Sequence, residues 1–168
     1  MSAAPFDPIA LLRLLVGHRV DFIVIGGLAG RVWGSPTITN DLDICYSRSA
    51  ENLTRLVTAL RELNVSLRGV REKVPFILDE KTFRLGDSFT FETALGNLDC
   101  LGTPSGTQGY DDLRAHAEEV DLGDGLRVWF TSLEDLIRMK QASARRKDLI
   151  ELEVLQAVLD ERRNEPKP

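Results

Sequence analysis

One stretch limits the possible folds more than any other: Asp21 to Tyr46, DFIVIGGLAGRVWGSPTITNDLDICY. Phe22-Ile23-Val24-Ile25 is a short apolar, largely β-branched run, the pattern of a strand buried on both faces. Gly26-Gly27 ends the run, and Leu28 to Trp33 is predicted to form a short helix. Glycines between a strand and a helix let backbone N–H groups approach a ligand at the positive end of the helix, which suits a phosphate. After the Ser35-Pro36 turn comes Asp41-Leu42-Asp43-Ile44. Strand side chains alternate, so Asp41 and Asp43 share one face while Leu42 and Ile44 take the other. Such a carboxylate pair repels itself and buries nothing apolar. A divalent cation removes the conflict, because hard cations such as magnesium take oxygen ligands.

The flanking chain supplies the layers such a strand needs. Asp7-Pro8 reads as a helix start, followed by an apolar stripe of Ile9, Leu12, Leu15 and Val16 and a stop near Gly17. His18 is expected at the C-terminal end of that helix. Ser49 is placed to cap a further helix carrying Leu53, Leu56, Val57, Leu60 and Leu63 at helical spacing. In the middle, Val65 to Arg68, Phe76 to Leu78 and Thr82 to Leu85 are candidate short strands. Ser88 to Thr93 alternates cleanly with both phenylalanines on one face, and Leu98 to Leu101 follows as a strand that points Asp99 away from Leu98 and Cys100. Tyr110 to Ala117 reads as a short helix, and Glu118–Leu122 and Leu126–Phe130 flank Gly123-Asp124-Gly125 as a hairpin.

Ser132 with Asp135 resembles a capping box and opens a helical ending. Leu133, Leu136, Ile137, Lys140 and Ala144 form its core stripe, with Lys140 out of place among them, and Leu152, Leu155 and Leu159 continue beyond the basic join Arg145-Arg146-Lys147. The polar tail from Asn164 is expected to be disordered. With 168 residues the chain is expected to be one domain, a core over 1–131 with a helical part over 132–168.

Composition removes several classes. The 26 acidic and 21 basic residues leave a net charge of −5, which argues against a nucleic-acid coat or a membrane-surface protein. Cys45 and Cys100, the only cysteines, form no CxxC pair and fit a reducing compartment. The N-terminus lacks the pattern of a signal peptide and no run reaches membrane-spanning length, so a cytoplasmic location is expected. The run Gly26-Gly27-Leu28-Ala29-Gly30 departs from G-x-G-x-x-G spacing, which weighs against a dinucleotide-binding oxidoreductase.

Gly26-Gly27, then Thr39-Asn40-Asp41-Leu42-Asp43, then a lone Asp99 on a later strand, in that order, resemble the nucleotidyltransferase superfamily with the polymerase-β-like fold. The resemblance is nearest to its small bacterial members, the AbiEii-type toxins and minimal nucleotidyltransferases. Met139-Lys140 and Arg145-Arg146-Lys147-Asp148 also look like these relatives. The likeness implies an α/β (α+β) fold, a mixed sheet flanked by helices. It implies transfer of a nucleoside monophosphate from a nucleoside triphosphate to a hydroxyl on a protein, an RNA end such as that of tRNA, or a small molecule. By the same likeness Gly26 and Gly27 hold the triphosphate, Asp41 and Asp43 hold magnesium (or manganese), and Asp99 completes a metal site and helps deprotonate the attacking hydroxyl. Many relatives have Ser at the position of Gly27 and several have Arg near Thr37. Here Arg31, Thr39 or the basic cluster with Arg145 and Lys147 would contact the nucleotide instead. Lys140 is expected to reach the β- or γ-phosphate, so that Lys140→Met would keep the fold and slow transfer. The toxin likeness also implies an antitoxin partner. The competing expectation is an inactive nucleotidyltransferase-like domain serving as a protein-interaction module.

Overall fold

The computed structural model of the chain describes residues 5–70, 76–143, 145–166 and 168. Helix α1 (Pro8–Gly17) begins where expected: the Asp7 carboxylate accepts a hydrogen bond from the Ala10 N–H at 3.0 Å, and Pro8 takes the first turn. Its buried residues are Leu11, Leu12 and Leu15, while Ile9 and Val16 of the expected stripe are exposed. The helix is apolar nearly all round, so periodicity alone does not set which face is buried. Strand β1 (Phe22–Ile25) is buried at every position. Helix α2 (Gly26–Val32) follows without a break, so the two glycines form its first turn instead of a linker ahead of Leu28. Strand β2 (Asp41–Tyr46) and helix α3 (Ala50–Glu62), capped by Ser49 on the Asn52 N–H at 3.2 Å, complete the first half.

Strand β3 (Ser66–Leu67) is shorter than expected, and Phe76 to Leu78 forms no strand. The expected strand at Thr82 to Leu85 is instead helix α4 (Glu80–Leu85). Asp79 caps it through the Thr82 N–H at 2.8 Å, and the single buried residue, Phe83, packs against Tyr46, Phe89 and Phe91. A local cap and one aromatic anchor outweigh the weak strand propensity of so short a run. Strands β4 (Ser88–Thr93) and β5 (Gly96–Leu101), helix α5 (Tyr110–Arg114), and the hairpin of β6 (Glu118–Asp121) and β7 (Arg127–Phe130) follow. Helix α6 (Leu133–Ser143) starts with Ser132 accepting from the Asp135 N–H at 3.1 Å, and α7 (Arg146–Asn164) ends the fold. Ala144 of the expected stripe and Lys167 of the expected disordered tail lie outside the described residues.

All the strands join one seven-stranded mixed sheet in the order β3-β4-β5-β2-β1-β7-β6. β2 with β5 and β1 with β7 are parallel, and the other neighbours are antiparallel. One face of its centre carries Leu42, Ile44, Tyr46, Phe91, Leu98 and Cys100, each fully buried, with α4 packed over Tyr46 through Phe83. On the opposite face of β2 and β5, Asp41, Asp43, Asn97 and Asp99 lie at one end, and the buried Cys45 and half-buried Leu101 at the other. The register pairs Ile44 with Cys100 and Cys45 with Leu101, so the cysteines sit on opposite faces of adjacent strands, and both are free thiols. Among the described residues no helix is long and apolar enough to cross a membrane.

Candidate active site

Sheet register assembles the site. Within β2, alternation turns Asp41 and Asp43 to the polar face, both partly exposed, while Leu42 and Ile44 are fully buried on the other. The parallel pairing with β5 sets Asp43 directly beside Asp99 and Asp41 beside Asn97. On β4, Thr90 pairs with Asp99, and the Arg68 N–H just beyond β3 donates to the Thr90 carbonyl at 3.0 Å. Asp43, Asp99, Thr90 and Arg68 therefore form one row across the sheet. Asn97 donates to Asp41 Oδ1 at 3.2 Å. Arg68 Nη2 donates to Asp99 Oδ1 at 2.7 Å, and its Nη1 lies 3.8 Å from Asp41 Oδ1.

The electrostatics follow from this crowding. Burial pushes the Asp43 carboxyl up to about 7, helped by the charge of Asp99, a hydrogen bond with Asp99 and the charge of Asp41, and opposed by the Gly27 N–H. Burial also raises Asp99, against which Arg68 and the hydrogen bond with Asp43 act. The two carboxyls titrate as a coupled pair, with burial and like charge holding Asp43 well above the ordinary carboxylate range. Among the described residues, no three His, Cys, Asp or Glu side chains are already gathered around a common metal position. The donor chemistry nevertheless fits magnesium or manganese: Asp41, Asp43 and Asp99 are hard oxygen donors whose mutual repulsion a dication would relieve.

The glycines are required by close approach. Gly26 has φ +66°, and a Cβ there would overlap the Asp43 carboxylate. A Cβ on Gly27 would meet Thr39 Cβ and Oγ1 at 2.8 Å. Thr39 in turn donates to the Asp41 carbonyl at 3.1 Å, so it ties the first turn of α2 to the start of β2. The space beside the two glycines is thus filled by two side chains of the same motif.

The basic residues are spread apart. Arg31 is exposed on the last turn of α2 and donates to the Pro36 carbonyl at 3.2 Å. Arg145 and Lys147, at the start of α7, are exposed. Lys140 is buried, and its Nζ lies 3.0 Å from Glu151 Oε2 and 3.5 Å from Asp148 Oδ1, while Ser143 Oγ donates to Asp148 Oδ2 at 2.7 Å. The amine's partners are thus carboxylates of α7. Glu151 also abuts Gly30, where an added Cβ would overlap its Oε1, so this buried group docks the α6–α7 corner on α2. Arg68, Asn97 and Glu151 escape sequence reasoning. Each acts through a partner fixed by register or by helix packing, which composition and spacing do not specify.

No protein-family model matches the chain, and no curated protein matches it. Among solved structures it is similar to the lincosamide antibiotic adenylyltransferase LnuA in its lincomycin-bound crystal structure. That pair has 12% identity and a TM-score of 0.59, covering 92% of this chain and 99% of the other. It is also similar to ANT(2'')-Ia in complex with adenylyl-2''-tobramycin, with 16% identity and a TM-score of 0.53 over 89% of this chain and 85% of the other. A solution structure of the antibiotic-resistance factor ANT(2'')-Ia matches with 17% identity and a TM-score of 0.50, over 92% and 91%. At such identities the likeness speaks for the fold, and the chain has the nucleotidyltransferase fold.

Proposed function

We propose that this protein transfers a nucleoside monophosphate from a nucleoside triphosphate to a hydroxyl of a small-molecule acceptor, with Asp41, Asp43 and Asp99 holding magnesium or manganese. The observation that carries this reading is the register that sets Asp43 beside Asp99, with Asp41 on the same face of β2. A bound dication supplies neutralisation of the charge that spreads over the phosphoryl oxygens. The acceptor oxygen attacks the α-phosphorus, the bond to the bridging oxygen breaks, and pyrophosphate leaves. Asp99, set beside Asp43 by the strand register, takes the acceptor's proton. Gly26 lets the Asp43 carboxylate, and Gly27 the Thr39 side chain, pack against the first turn of α2, whose backbone N–H groups are the ones proposed to meet the triphosphate. Thr39 fixes the Asp41 end of the strand, Arg31, Arg145 and Lys147 offer exposed positive charge to the nucleotide, and Lys140 holds the α6–α7 corner against α2.

The small-molecule acceptor is supported by the polar face beyond Asp99. Thr90 and Asn97 are partly exposed there and Ser66 and Glu92 are exposed, a surface suited to a polyhydroxylated, amine-bearing compound. The similar solved structures carry lincomycin and adenylylated tobramycin, which are compounds of that kind. The net charge of −5 weighs against a long RNA acceptor. The test is mass spectrometry after incubation with each nucleoside triphosphate, magnesium and a panel of aminoglycosides, lincosamides and other amino sugars. A mass gain of one nucleoside monophosphate on a panel member, lost in Asp41→Asn, supports the reading. Label found on protein or tRNA from a lysate, with none on any small molecule, overturns the acceptor class.

A further inference from the structure

We infer that Arg68 is a built-in counter-cation of the carboxylate row, which takes up the positive-charge position there and has to release Asp99 and Asp41 before a divalent metal ion binds. The inference rests on the reading above that these carboxylates are the metal ligands.

The side chain comes from the edge of the sheet. β3 pairs with β4 two strands away from β2, and the backbone of Arg68 is fixed by its bond to the Thr90 carbonyl. From there one guanidinium spans two carboxylates, at 2.7 Å from Asp99 Oδ1 and 3.8 Å from Asp41 Oδ1. It is the cation placed between these two aspartates. A metal ion needs the same oxygen lone pairs, so both cannot hold Asp99 Oδ1 in this way.

The guanidinium is poorly satisfied for a permanent structural pair. Its Nη1 is buried and has no hydrogen-bond partner, so the contact to Asp99 is one bond and not a parallel fork. Arg68 and Asp41 are 26% and 39% exposed, which leaves the side chain a path to solvent along the open face. A single positive charge cannot neutralise three crowded carboxylates as a dication can, so the exchange favours the metal once it is abundant. Release also places a free guanidinium on the polar face beyond Asp99.

Competition and simple positioning predict opposite signs. If Arg68 competes, removing it strengthens metal binding. If Arg68 only holds Asp99 in place, removing it lets Asp99 swing and weakens metal binding. The experiment titrates chelator-stripped wild type, Arg68→Met, Arg68→Lys and Asp43→Asn with MnCl2 alone, read by calorimetry and by melting temperature. The loss of one charge-assisted hydrogen bond as competitor lowers the half-saturating concentration in Arg68→Met by about tenfold or more, with Arg68→Lys between it and wild type. Binding by Arg68→Met alone, with none by wild type, supports the inference equally. An unchanged or higher half-saturating concentration in Arg68→Met, with wild type binding normally, overturns the role of Arg68 and leaves the metal site standing. Absence of binding in wild type, Arg68→Met and Arg68→Lys alike overturns the metal reading itself and the inference with it. If Arg68→Met fails to fold, the Arg68→Lys titration decides by the same sign.

Discussion

Removing the charge of Asp43 should make the metal-free protein more stable, not less. In the fold this carboxyl rises from the ordinary 3.8 to about 7, first through burial and then through Asp99 and Asp41. A carboxyl raised on folding contributes stability that is present below its unfolded value near 4. That stability is lost as pH climbs through about 7, because the folded state then has to ionise a crowded group. At roughly 1.4 kcal/mol for each tenfold change in acidity, the rise corresponds to about 4 kcal/mol at pH 8. Asp43→Asn keeps the shape and removes the charge that ionisation would place in the row. The variant should recover about 2–4 kcal/mol at pH 8, since the other carboxylates and Arg68 readjust. For a chain of this length that is roughly 5–10 °C in melting temperature. Melting curves of chelator-treated wild type and Asp43→Asn from pH 5 to pH 9 give the answer. Wild type should lose stability steadily from pH 5 to about pH 7 and level off above it, while the variant stays nearly flat. A variant less stable than wild type at pH 8, or parallel slopes, would refute the account of a crowded carboxylate row.

Two further substitutions probe the supports of the site. Gly26→Ala forces a left-handed φ on alanine and drives a methyl into the Asp43 carboxylate, so a loss of about 2–5 kcal/mol is expected in denaturant titration; a neutral effect would mean that the close approach is absent. Lys140→Met, expected from sequence to spare the fold, leaves Glu151 and Asp148 buried without their cation and should lower stability by about 3–5 kcal/mol, with Glu151→Leu added to it restoring most of the loss. An unchanged melting temperature in Lys140→Met would place the amine outside that cluster.

The parts of this molecule that were legible in sequence are those set by local rules. The caps at Asp7, Ser49 and Ser132 act within three residues, and each holds in the structure. Alternation along β2 depends only on a period of two, so the shared face of Asp41 and Asp43 could be read directly. The hairpin of β6 and β7 was marked by its glycines. What lies beyond local rules was missed. The buried face of α1 depends on what packs against it, and one local signal was missed too, since Asp79, three residues before Thr82, caps a helix where Thr82 to Leu85 looks like a strand. Within the site, Arg68 reaches Asp99 only because β3, β4 and β5 are paired in one register. The partner of Lys140 lies on the next helix, so the oddity of a lysine on an apolar stripe was visible while its resolution was not.

Metal-dependent nucleotidyl transfer by the row of Asp41, Asp43 and Asp99 releases pyrophosphate. Pyrophosphate release tests it most directly, measured with each nucleoside triphosphate, magnesium and a bacterial small-molecule extract, for wild type and for Asp99→Asn. Wild type should show acceptor-dependent release that chelator abolishes, and Asp99→Asn should lose at least about a hundredfold while keeping the fold. Equal release by wild type and by a folded Asp99→Asn would contradict transfer by this row, as would release that persists in the chelator.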